Sequence, residues 1–229
     1  MKTKGTVIII ILVAFIAGGI ISYCVFNTGS GKLPKPVVGE GIYGEMFGVD
    51  KNINEETIDD YLNREDTVYR DMRMLIDDAV YENIGGDSYL SGFVKGFEAV
   101  PFPLIVNVTE LPPEVGEAYG GETLFTQNGD GEYIANYDES LEFLEYYFPK
   151  DKNIFLMCGG AGYAGMMKSM LTDLGWDEGK IYNVGGYWFY DGENKVTVKS
   201  ANGDDSYDFW KVTYHNIDFD SLNRIEDET

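Results

Sequence analysis

The stretch that most constrains this chain lies between residues 153 and 186. Asn153-Ile-Phe-Leu-Met157 is an apolar run of strand length, and Cys158 to Gly162 is a glycine-rich turn. Tyr163 to Leu174 follows with helical spacing and is closed by Gly175, and Lys180 to Val184 is a second apolar run that leaves through Gly185-Gly186. Strand, glycine loop, helix and strand form a βαβ unit. Two parallel strands can be joined only by a crossover, so the unit calls for an α/β fold with a central parallel sheet flanked by helices.

The rest of the chain is read around that unit. Asn54 caps a short helix from Thr57 to Leu62, and Met72 to Ile76 reads as a strand ending at Asp77, with Thr67 to Asp71 as its approach. Leu104 to Val108 is a β-branched run suited to a buried strand. Glu110 to about Asp138 is a turn-rich, acidic insertion with a small hairpin around Leu124 to Ile134, and Glu139 to Phe148 is an amphipathic helix stopped by Pro149. Lys195 to Lys199 and Phe209 to Asn216 are strand-like and read as an appended hairpin.

At the other end, Val7 to Phe26 is uncharged and rich in Ile and Val, about the 20 residues that cross a ~30 Å hydrocarbon core. Lys2 and Lys4 precede it, as in exported chains, which places everything after Asn27 outside the cytoplasm on a single-pass anchor. A lipoprotein signal ending at Cys24 and an ordinary cleaved signal peptide are the rival readings. Residues 27–50, with Gly29, Gly31, Pro34, Pro36, Gly39 and Gly41, show no strand or helix period and read as a tether. The expected organisation is thus 1–26 anchor or signal, 27–50 linker, 51–191 domain, and 192–229 a C-terminal extension with extra strands.

Thirty-nine acidic against 17 basic residues give a net charge of −22, which repels phosphate backbones and argues against nucleic acid as a partner. Beyond Cys24 the sole cysteine is Cys158, so the domain cannot close a disulfide within itself. No His, Cys, Asp and Glu grouping has metal-ligand spacing, no dinucleotide fingerprint or phosphate-binding P-loop occurs, and no cofactor is expected. The acidic turns at Asp130 and at Asp204-Asp205 are read as solvated. His215, the only histidine, is read as structural.

Cys158 therefore carries the chemistry. It stands where a strand hands over to a helix, the crevice at which open α/β sheets bind ligands. Gly159, Gly160, Ala161 and Gly162 let backbone N–H groups turn inward, and with the helix terminus at Tyr163 and Ala164 they form a nest for an anion. Such a setting favours thiolate over thiol and makes Cys158 a candidate nucleophile. A cysteine at a strand end is equally a small buried apolar residue. Tyr163 has two readings, as a cover for the sulfur and as packing.

The chain resembles the rhodanese-like family over about residues 55 to 190. Leu75-Ile76-Asp77-Asp78-Ala79 resembles the family's strand ending in Asp-x-Arg, with Ala79 in place of the Arg. Gly92-Phe93-Val94-Lys95-Gly96-Phe97 resembles its Gly-His-Ile-x-Gly-Ala turn, followed by Val100-Pro101-Phe102-Pro103. Cys158 to Ala164 matches its cysteine loop, and Gly185-Gly186-Tyr187-Trp188 its closing turn. The resemblance implies a sulfurtransferase that takes sulfane sulfur from thiosulfate or another small sulfur donor as a Cys158 persulfide and hands it to a thiol acceptor. Asp77 and Arg73 support the loop in that reading. The family's loop cation is missing: Tyr163 stands five residues after the cysteine, where such enzymes carry Arg, and Ala164 stands where related phosphatases need one. The alternative is an inactive rhodanese-like module that binds a protein partner at the cell surface.

Overall fold

The computed structural model describes residues 31–74, 92–108, 121–198 and 211–226. Its centre is a four-stranded parallel sheet. Strand β1 (Thr67–Asp71), β3 (Glu98–Ala99), β7 (Asn153–Cys158) and β8 (Ile181–Gly186) lie in the order β3-β1-β7-β8. The apolar run in β7 is buried on both faces, as a central parallel strand must be, and its side chains alternate between two cores. Ile154, Leu156 and Cys158 enter one, with Met167 and Leu171 of helix α4 (Gly162–Asp173) and Leu144 of helix α3 (Ser140–Tyr147). Phe155 and Met157 enter the other, with Tyr69, Tyr182, Ile53 and Ile58. The expected α/β class with a parallel sheet between helices is what the molecule has.

Two smaller sheets flank this one. Strand β2 (Gly92–Val94) pairs antiparallel with β9 (Lys195–Thr197), and β4 (Val106–Asn107), β5 (Phe125–Gln127) and β6 (Tyr133–Ala135) form a three-stranded sheet that contains the expected small hairpin. Among the described residues β9 pairs with β2 and Tyr214 bridges to Ala99, while residues 199–210, which would join the expected appended hairpin, lie outside them.

Three readings are corrected by the coordinates. The first strand is Thr67–Asp71, in continuous register with β7 from Thr67↔Asn153 to Asp71↔Met157. Arg70 disguised it, because a charged residue breaks the apolar pattern. Its guanidinium reaches the sheet edge, where Nη1 donates to Glu98 at 3.0 Å and Nε to the Tyr147 carbonyl at 2.8 Å. The run from Leu104 opens as a helical turn, α2 (Phe102–Ile105), before β4. Residues 31–50 are not a bare tether. Helix α1 (Gly41–Phe47) forms there and stops at Gly48, whose φ of 70° needs a glycine. The Asp50 amide donates to the Asn183 carbonyl at 2.8 Å, fastening the segment to β8. Gly165 of α4 leaves room for the Phe47 carbonyl, a space any Cβ would fill.

No helix among the described residues is long and apolar enough to cross a membrane, and the apolar run at residues 7–26 lies outside them. Asp77 and its neighbours at 75–79 also lie outside the described residues.

Candidate active site

Cys158 is the last residue of β7, opposite Gly186 of β8 across an irregularity in the register. Ala161 then takes a left-handed conformation, φ 74°, and caps α4. Non-glycine residues rarely adopt it, and Ala161 is held there with its side chain buried. The turn aims the backbone N–H groups of Tyr163 and Ala164 at the Cys158 sulfur. The nest expected from the glycines therefore exists in part, as two amides from the first turn of the helix.

The loop is closed, not open. The Trp188 indole lies on Gly159 and Gly160: a Cβ at Gly159 would sit 2.5 Å from the ring and one at Gly160 2.9 Å from it. The Trp188 amide donates to the Gly159 carbonyl at 3.2 Å, and Gly186 lets that same carbonyl pass where a side chain would block it. These three glycines serve close approach between loop and strand. On the helix side Tyr163 is buried and stacks on Phe102, ring centroids 5.2 Å apart, which makes it a packing residue. Cys158 itself is 3% exposed.

That burial reverses the expected electrostatics. Loss of water pushes the Cys158 thiol up to about 11; the Asp71 carboxylate pushes the same way, while the amides of Ala164 and Tyr163 and the Arg73 charge oppose it without prevailing. The thiolate expected from helix terminus and glycine loop is thus corrected to a neutral thiol. Amides and a helix terminus contribute about 0.3–2 kcal/mol, and removing water from a bare thiolate costs more.

Arg73, expected beside the loop, is near enough for its charge to act on the Cys158 thiol, but its donors are engaged with Asp71 and Gly92. Its Nε and Nη2 donate to Asp71 at 2.9 and 2.6 Å, and Nη2 also donates to the Gly92 carbonyl at 2.7 Å. The guanidinium lies between the rings of Phe93 and Tyr187, 4.9 and 4.5 Å from their centroids. Asp71-Met72-Arg73 is therefore an Asp-x-Arg at the end of a central strand; residues 75–79, where the sequence analysis placed that pattern, lie outside the described residues. Asp71 is the site residue that reading missed, and the two letters themselves were the signal. Lys168 faces Glu178, 3.9 Å away on the outer side of α4.

An open groove of about 520 Å³ runs between α1, α4 and the β5–β6 hairpin, lined among others by Phe47, Val108, Tyr133 and Thr172. Cys158 is not in its wall. Among the described residues no group of three or more His, Cys, Asp or Glu is placed to hold a metal ion. His215 Nε2 donates to the Glu98 carboxylate at 2.9 Å, and the ring packs edge-on against Tyr147, a structural position. Comparison of the chain with protein-family models, with curated proteins and with solved structures gives no match in any of the three.

Proposed function

We propose that this chain is a membrane-tethered, extracytoplasmic rhodanese-like domain that lacks turnover as a sulfurtransferase and acts as a binding module for a protein partner outside the cytoplasm. One observation carries the reading: the thiol on which transfer would depend is 3% exposed and is pushed up to about 11. Attack on a sulfur donor needs the thiolate. At neutral pH a thiol of that kind is ionised at roughly one part in 10⁴, against a few per cent for an ordinary cysteine. The order of the motifs supports the family: Asp-x-Arg at the end of β1, the turn at Gly92 to Phe97 leading into Pro101, the cysteine turn, then Gly185-Gly186 and aromatics. The acidic hairpin side, with Asp130 and Glu132 exposed, is the partner-facing surface in this reading.

A second reading, persulfide transfer at Cys158, is favoured by the two amides directed at the sulfur, which would hold a persulfide anion once the Trp188 cover moved. Intact mass after incubation with thiosulfate, and separately with a small persulfide donor, separates the two. The binding module predicts an unchanged mass. A gain of one sulfur that disappears in Cys158→Ser establishes transfer and overturns the first reading.

A further inference from the structure

The face formed by α1 and the residues before it carries large apolar side chains into solvent. Val37 and Val38 are 49% and 52% exposed, and Ile42 and Met46, four residues apart on one side of α1, are 65% and 63% exposed. Phe189, 39% exposed after the end of β8, joins them through Tyr43, whose ring centroid lies 4.6 Å from its own. Apolar patches of this kind mark contact surfaces.

The chain outside the described residues says what covers this one. The apolar run ends at Phe26. Leu33 is packed against the core that holds Tyr182, and the Tyr182 hydroxyl donates to the Pro34 carbonyl at 2.7 Å. Leu33 lies seven positions after Phe26, a reach of about 25 Å at full extension, and Val37 lies only four positions further on. A bilayer holding residues 7–26 is therefore brought up to this end of the domain and to no distant one. Charge agrees: across residues 31–47, Lys32 and Lys35 balance Glu40 and Glu45, whereas the whole chain carries −22. An acidic protein thus turns an apolar surface of balanced charge toward its own attachment point.

We infer that the α1 face, Val37, Val38, Ile42, Met46 and Phe189, rests in the interfacial zone of the lipid bilayer and fixes how the domain stands on the membrane. The contact is with lipid, shallow and oriented, in the manner of an interfacial amphipathic helix. It rests on the reading of residues 7–26 as an anchor.

The test uses the full chain with Cys24→Ser and Met46→Cys, labelled at residue 46 with an environment-sensitive fluorophore. It is reconstituted into vesicles of phosphatidylcholine and phosphatidylglycerol, with or without nitroxide-bearing acyl chains. Buried Cys158 escapes the label, which intact mass verifies. The inference predicts blue-shifted emission, quenched at least twofold by the nitroxide lipid, and loss of that quenching on adding Ile42→Glu. Alkaline carbonate extraction of the same vesicles reads the anchor separately. Absence of quenching while the chain resists extraction overturns the inference and spares the anchor; absence of quenching with extraction overturns both. Quenching with extraction keeps the lipid face and removes the anchor. Blue-shifted emission that the nitroxide lipid leaves untouched shows that the label lies against protein, either the groove that Met46 lines or a second copy, and also overturns it.

Discussion

Two neighbouring strands end side by side in the central sheet, and they treat a buried ionisable group in opposite ways. β1 ends in Asp71, fully buried and ion-paired with the Arg73 guanidinium, which the Gly92 carbonyl of β2 also holds. β7 ends in Cys158, equally buried, with two amides and, among the described residues, only the shared Arg73 charge to oppose the loss of water. Burying a charge is tolerated only where a partner replaces water; without one the group gives up its charge. The first strand end is therefore an ionic clamp, and the second an uncharged thiol in the core, ahead of a glycine loop packed on an indole.

The clamp offers the largest effect. Arg73→Met leaves the Asp71 carboxylate buried and unpaired and should lower stability by about 3–5 kcal/mol in urea denaturation, while Asp71→Leu with Arg73→Met should recover much of it. A loss below 1 kcal/mol in the single variant would mean that the two strand ends are not so different. Gly159→Ala comes next. Its Cβ would stand 2.5 Å from the Trp188 ring, so about 1–3 kcal/mol should be lost, and less in a Trp188→Ala background, where the clash is gone.

Trp188→Ala by itself sharpens the comparison at the thiol. With the indole gone, water should reach Cys158 and bring its pKa down toward the ordinary ~8.5, speeding alkylation at pH 8 by at least about tenfold. An unchanged rate would assign the cover to Tyr163 and Phe102 instead.

The smallest effect concerns a third buried group. One carboxylate oxygen of Glu55 is buried without a hydrogen-bond partner among the described residues, beside Gly185, where any Cβ would strike it. Burial raises its pKa. The folded protein then keeps that proton to a higher pH than the unfolded chain does. Between the ordinary glutamate value and the raised one, stability falls as pH rises, because the folded state binds more protons there. Glu55→Gln should flatten that part of a stability-against-pH curve. A slope identical in wild type and variant would contradict it.

Much of the fold was legible because burial on both faces writes itself as an unbroken apolar run. β7, α4 and β8 fall within a residue or two of where periodicity put them. β1 was obscured by Arg70, whose charge is satisfied at the sheet edge by Glu98 and the Tyr147 carbonyl, contacts distant in sequence. α1 was hidden in a glycine- and proline-bearing stretch because its seven residues are too few to show a period, and its fastening to β8 through Asp50 and Asn183 is a tertiary matter. At the site, the glycines around Cys158 were visible but their purpose was not. Read locally they open a nest for an anion, whereas in the folded molecule Gly159, Gly160 and Gly186 make room for Trp188 and for one another.

The most direct test of a neutral, sealed thiol is the rate of Cys158 alkylation by iodoacetamide from pH 6 to 11, followed by intact mass on the folded chain. The coordinates predict barely detectable modification near neutrality and a rate still climbing at pH 10, in keeping with a thiol pushed up to about 11. A rate that levels off at or below pH 8 would show a ready thiolate, and would restore Cys158 as a working nucleophile.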